Sequence, residues 1–218
     1  MNTSLQTKQI SHIIIQTFLT VICIWDRYLN IPRYPRNFLY ITQLDLYLHM
    51  IYFAIMLYIE LIKKNKASHL HCEMLFNFNF ALSFLAFVMF WGMFFVDPQT
   101  LYKKGVSIPL GLNASLHGGV FVTSFVEQMF INKRINPSNY VNKLFYLGFV
   151  IIYTLLLKCV YLFWNITIYP FASRSNVMLI GVNIVGFGVT LLGHSIYVRL
   201  THGKIKREQK GTELKLTE

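Results

Sequence analysis

Residues 74–96 read MLFNFNFALSFLAFVMFWGMFFV. No charged side chain interrupts the run, and a helix over it rises about 34 Å at about 1.5 Å per residue. That length crosses a hydrocarbon core of about 30 Å. A backbone in lipid must satisfy its own hydrogen bonds, which leaves helices or a closed barrel. The run is too long and too evenly apolar for a barrel strand of about 10 alternating residues. A transmembrane helix is the reading that remains.

Working outward, five further stretches have the same character: 9–25, 38–62, 110–131, 144–164 and 176–198. The expected fold is all-α, a polytopic transmembrane bundle of six spans, with a five-span arrangement as the alternative. Residues 1–200 form one bundle domain and 201–218 a polar cytoplasmic tail, either disordered or a frayed helix. The first span is the least apolar, carrying Ser11, His12, Gln16 and Thr17. It is not read as a signal peptide, because Trp25, Asp26 and Arg27 follow it in place of a small-residue cleavage site. Pro32, Pro35, Pro98, Pro137 and Pro170 punctuate the short connections.

Composition agrees. Apolar residues make up 55% of the 218 and charged residues 13%, about half the share of an ordinary soluble domain. Mean hydropathy is +0.47. A soluble globule, a disordered chain and a collagen-like rod are excluded. The net charge of +11 would suggest nucleic acid in a soluble protein. Here the positive residues cluster between apolar runs, where they encode topology, so no nucleic-acid partner is expected. Lys63, Lys64, Lys66, Lys133, Arg134 and the basic tail share a side with both termini. Arg27, Arg33, Arg36, Lys103, Lys104 and Arg174 lie opposite. The heavier side is cytoplasmic by the positive-inside rule. Cys23, Cys72 and Cys159 are far apart and form no disulfide framework.

Polar residues inside the spans are costly and mark functional candidates. Thr42, Asp45 and His49 share one face of the second span at i, i+3 and i+7, and Asn113 and His117 share one face of the fourth. Ser124 and Gln128 continue that stripe. Both spans enter from the non-cytoplasmic side, so Thr42, Asp45, Asn113 and His117 lie roughly 6–10 Å inside it. Lys158 and Asn183 fall in the same layer. A hydroxyl, an imidazole and a carboxylate meeting there allow nucleophilic acyl chemistry: His117 as base for the Thr42 hydroxyl and Asn113 as oxyanion donor or ring orienter. Asp45 could orient the imidazole or pair with Lys158. The competing structural reading has the threonine bonded to its own helix and the Asn–His pair joining helices.

Other motifs carry less. His69, His71 and Cys72 resemble metal ligands but lack a second cluster. No GxSxG elbow or P-loop occurs. Gly181, Gly186, Gly188 and Gly193 suggest close helix packing. Asn165-Ile166-Thr167 forms a glycosylation sequon close to the membrane.

Several segments together resemble the androgen-induced and androgen-dependent membrane protein family, the FAR-17a group. Leu39-Tyr40-Ile41-Thr42-Gln43-Leu44-Asp45-Leu46 is similar to its F-L-T-x-x-D-L element. Phe90-Trp91 with Asp97, Leu112-Asn113-Ala114-Ser115-Leu116-His117, Tyr169-Pro170-Phe171 and Leu191-Leu192-Gly193 resemble four more. Ala114, Ser115 and Gly118 depart from the family's His, Gly and Thr. The resemblance implies a threonine-dependent hydrolase of fatty acid esters of hydroxy fatty acids, with Thr42 as nucleophile and His117 as base. It implies a lipid substrate drawn from the bilayer, with no metal and no organic cofactor; the expected location is the endoplasmic reticulum or another endomembrane, or the plasma membrane. A non-enzymatic lipid-binding or scaffolding protein is the alternative. A transporter using Asp45, Lys158 and Asn183 ranks lower, because no internal repeat or broken helix is evident.

Overall fold

A computed structural model describes residues 3–30, 39–63, 69–96, 109–131, 139–166, 168–169 and 176–216. The loop prolines, most of the loop cations and the side chains of His69 and His71 lie outside the described residues. Every long element is helical, as apolar runs in lipid require. The order is α1 (Thr3–Asn30), α2 (Ile41–Tyr58), α3 (His69–Val96), α4 (Leu110–Ala114), α5 (Val120–Val126), α6 (Asn139–Trp164) and α7 (Asn176–Leu216). Three π-helical turns interleave: Ile59–Lys63 extends α2, Ser115–Gly119 joins α4 to α5, and Glu127–Ile131 extends α5.

Among the described residues, five helices are long and apolar enough to cross a membrane: Gln6–Leu29, Ile41–Ile62, Met74–Val96, Lys143–Trp164 and Ile180–Thr201. The expected fourth span, 110–131, is helical throughout but is not one α-helix; one π turn divides it and a second ends it. The first falls where Gly118 and Gly119 let a neighbour approach. A Cβ on Gly119 would lie 2.9 Å from Phe18 Cζ of α1. At about 1.5 Å per residue the composite segment still spans a membrane thickness.

Side-chain pairs fix the helix directions. α1 is antiparallel to α2, because Gln43 Nε2 donates to Asp26 Oδ2 (2.9 Å) while Gln9 Nε2 donates to the Glu60 carbonyl (3.3 Å). α2 and α3 are antiparallel through Asn79 Nδ2 to the Leu48 carbonyl (3.0 Å) and the Tyr52–Phe76 ring pair. α3 runs antiparallel to 110–131 through Ser83–Ser124 and Phe90–His117. α7 opposes both α3 and α6, the latter through Tyr146–His194 and Thr154–Asn183. Directions therefore alternate along the chain, and the start of α1 and the end of α7 share one end of the bundle. α7 does not stop at the polar tail: it continues as helix to Leu216.

α3 is central, packed against α2, 110–131, α6 and α7. Phe76, Phe80, Ala81 and Leu82 are completely or almost completely buried. The weak hydropathy of α1 is explained by its two faces. His12, Leu19, Ile22 and Asp26 point inward, while Ile10, Ile14, Val21 and Ile24 face outward. Of the four glycines expected at close helix contacts, Gly193 fits best. A Cβ there would lie 2.9 Å from Phe84 Cδ1 and 3.1 Å from Phe84 Cβ. Gly186 has ordinary clearance from Leu85, and Gly181 and Gly188 have nothing within 4 Å, so these two do not mediate packing. Asn165 takes φ 50° and its N–H bonds the Tyr161 carbonyl at 2.9 Å. It thus ends α6 as a left-handed cap, a conformation asparagine tolerates.

Candidate active site

The polar stripes of α2 and 110–131 both turn inward. Asp45 is 1% exposed, His49 0%, Asn113 3%, Ser124 0% and Gln128 2%. They meet at a common register. Ser124 Oγ donates to His49 Nε2, and Tyr52 Oη donates to Glu127 Oε1 (3.2 Å); each pair is separated by 75 residues. Two helices running parallel at that offset put Thr42 and His117 at the same level along the bundle, to within about one residue's rise for the intervening π turn. α3 gives the same level independently. Ser83 donates to Ser124 (3.4 Å), and Phe90, seven residues on, stacks on His117, seven residues back. The π turn that carries His117 packs against both α2 and α3.

Thr42 stands in the first turn of α2. Thr17, Thr20, Thr123, Thr154, Thr190 and Thr201 all donate to a carbonyl three or four residues earlier, the ordinary fate of a membrane-helix threonine. For Thr42 the carbonyl four residues back belongs to residue 38, ahead of the helix. Its hydroxyl makes no hydrogen bond among the described residues and is partly exposed. The chain ahead of it is held by two tyrosines. Tyr153 Oη donates to the Leu39 carbonyl (2.6 Å), and Tyr169 Oη accepts from the Ile41 N–H (2.9 Å) while lying 3.3 Å from Tyr153 Oη. One first-turn N–H, normally orphaned, is therefore capped. Burial pushes the Tyr169 phenol up to about 12, so it stays protonated under ordinary conditions.

His117 lies flat on the Phe90 ring, with centroids 3.4 Å apart and planes 4° from parallel. Its Nδ1 is enclosed and has no hydrogen-bond partner among the described residues. Asn113 is buried one turn earlier.

The remaining expected residues divide. Asp45 neither orients His117 nor pairs with Lys158. His49 Nδ1 donates to the Asp45 carbonyl (2.9 Å) and sits 3.1 Å from its Oδ1. The i, i+4 spacing within one helix makes this the shorter reach. His49 is committed between Asp45 and Ser124, a bridge between α2 and α5. Asn183 Oδ1 lies 2.8 Å from Thr154 Oγ1, a contact that joins α6 to α7, and Lys158 is half-buried one turn further along α6. At the level where α2 begins, Tyr153 is the α6 residue that reaches across.

The sequence reading missed two buried clusters. His12 bridges Glu60 Oε2 (Nδ1, 2.8 Å) and Glu127 Oε2 (Nε2, 3.0 Å) at the end of the bundle away from Thr42. Each carboxylate is presented by a π turn. The signal was available, since Glu60 and Glu127 are acidic residues inside apolar runs. The second cluster joins Asn77, Tyr146 and His194: Tyr146 Oη donates to Asn77 Oδ1 (3.0 Å), and His194 Nδ1 is 3.1 Å from the same oxygen. Among the described residues no group of three His, Cys, Asp or Glu could hold a metal ion.

No curated protein and no solved structure matches the chain. The family described as FAR-17a/AIG1-like protein matches residues 7–202, which takes in every span and both Thr42 and His117. The chain is a multi-pass membrane protein and belongs to the FAR-17a/AIG1-like family.

Proposed function

We propose that this protein is an intramembrane hydrolase of lipid esters in which Thr42 is the nucleophile and His117 the base. The observation that carries the reading is the state of Thr42. Its hydroxyl is unengaged among the described residues at the head of α2, and the 75-residue register supports a shared level with an imidazole whose Nδ1 is likewise without a partner among them. In the proposed cycle His117 takes the Thr42 proton as Oγ1 bonds to the ester carbonyl carbon. The carbonyl electron pair moves to oxygen. Collapse expels the alcohol, which receives the proton from His117, and leaves an acyl-threonine. Water, deprotonated by His117, then releases the acid and restores Thr42. The cycle uses water alone as co-reactant.

The substrate class follows from depth and from the family resemblance. A site below the membrane boundary suits an ester placed partway along an alkyl chain, as in fatty acid esters of hydroxy fatty acids. Such a lipid can reach the site laterally from the bilayer.

The test is hydrolysis of such an ester by membranes bearing wild type, Thr42→Ala or His117→Ala. Either change should lower the rate ~10²-fold or more, since nucleophile and base act as a unit. A fluorophosphonate probe should label wild type and not Thr42→Ala. Equal hydrolysis in all three, or no labelling of folded protein, would favour a non-catalytic lipid-binding protein instead.

A further inference from the structure

Trp91 stands near the end of α3, one residue after the phenylalanine that carries His117. Its Nε1 is enclosed by protein and has no hydrogen-bond partner among the described residues. An indole N–H can only donate, and a buried one ordinarily finds an acceptor. A tryptophan serving as an interfacial anchor turns its N–H to water or headgroups; this one is closed off from both. The place it faces is defined by Gly118, next to His117. The nearest heavy atom to a Cβ built on Gly118 is Trp91 Nε1, at 3.8 Å. A Cβ at this position would stand in ordinary van der Waals contact with the donor, and the glycine leaves that one position beside it empty.

Two polar atoms without a partner among the described residues therefore belong to this stretch of the bundle: the Trp91 N–H, a pure donor beside Gly118, and Nδ1 of His117, the residue before Gly118. An ester carbonyl oxygen is a pure acceptor and complements the first. We propose, building on the hydrolase reading above, that the Trp91 indole N–H holds the substrate's carbonyl oxygen and stabilises the oxyanion formed when Thr42 attacks. In that step the Thr42 Oγ1–carbon bond forms, the carbonyl π pair moves onto oxygen, and the indole proton is shared with that oxygen without being transferred. Its enclosure in a low-dielectric setting strengthens such a bond. Trp91 is then a catalytic residue in its own right, and in this chain, where Gly118 stands in place of the family's Thr, the carbonyl lies beside the glycine.

The experiment compares wild type, Trp91→Phe, Gly118→Ser and Thr42→Ala as full-length proteins in detergent, using a fatty acid ester of a hydroxy fatty acid. Trp91→Phe keeps an aromatic ring against Phe94 and Phe95, which lie 5.4 Å and 5.8 Å away, and removes the donor. It should lower kcat about 10²–10³-fold, with KM little changed. Gly118→Ser offers the indole a hydroxyl within the chain, so kcat should fall by about tenfold or more while the indole stays in place. Trp91→Phe and Gly118→Ser both turning over at near wild-type kcat, with Thr42→Ala inactive, would overturn this assignment and leave the hydrolase reading standing. Thr42→Ala as active as wild type would overturn both. Should Trp91→Phe fail to fold, Gly118→Ser decides alone: unchanged kcat rejects the assignment and a fall supports it.

Discussion

The His117 imidazole and the Phe90 ring lie face to face, 3.4 Å between centroids and 4° between planes. This contact sets the plane of the candidate base, because no side chain among the described residues bonds its Nδ1. Phe90→Ala removes the surface on which the ring rests. A displacement of about 1 Å in a reacting group can cost about 10²-fold, so kcat for ester hydrolysis should fall by ~10–100-fold. Phe90→Tyr, which keeps the flat face, should retain most activity. Steady-state kinetics on the two variants checks this, and equal rates would show that the stack does not position His117.

The shared register makes a geometric prediction that needs no activity. With Cys23, Cys72 and Cys159 replaced by Ser, the pair Thr42→Cys and His117→Cys should be joined by a short bifunctional maleimide. The pair Thr42→Cys and Ile184→Cys should not, because Ile184 is an outward-facing residue of α7. Cross-linking read by gel mobility decides it; failure of the first pair means that the offset seen at His49–Ser124 and Tyr52–Glu127 does not extend to the head of α2.

Tyr169 caps the Ile41 N–H, one residue before the candidate nucleophile. Tyr169→Phe should cost about 1 kcal/mol of stability and lower kcat more than it raises KM. A pH dependence follows with a definite sign. The phenol is pushed up to about 12 in the folded protein from an ordinary 10. Its contribution is therefore complete below about pH 10 and is lost as pH rises toward 12. Thermal midpoints of wild type and Tyr169→Phe should converge over that interval, and parallel curves would argue against the cap.

His12 lies between two carboxylates, with 1% exposure. His12→Ala leaves Glu60 and Glu127 buried and facing one another. Breaking a buried charged pair on one side costs about 3–5 kcal/mol, so the thermal midpoint should fall steeply. Because the cluster is at the end of the bundle away from Thr42, Trp91 and His117, protein that remains folded should keep a near wild-type KM. A midpoint unchanged in His12→Ala would show that the bridge contributes nothing.

Gly193 and Gly181 provide a paired test of helix packing. A Cβ at 193 would meet Phe84 at 2.9 Å, whereas one at 181 would meet nothing within 4 Å. Gly193→Ala should destabilise by about 1–3 kcal/mol through overpacking. Gly181→Ala should be neutral or stabilising by up to about 1 kcal/mol from helix propensity. Thermal unfolding in detergent separates the two outcomes.

The sequence by itself determined that residues 74–96 and their five counterparts are helices and that Asp45, His49 and Asn113 face inward. Both follow from local physics, because lipid offers the backbone no hydrogen bonds and tolerates no polar stripe. It also exposed Thr42 and His117 as candidates through spacing and resemblance. Which stripe meets which was decided by tertiary packing. Nothing local in α2 specifies an offset of 75 residues to α5, or that Asp45 should turn to His49 instead of Lys158. Nor does the run around Gly118 announce the π turn at Ser115–Gly119, where Phe18 of α1 approaches Gly119 more closely than a Cβ would allow. The Trp91 N–H is ordinary in sequence and becomes notable only when the fold encloses it beside an empty glycine position.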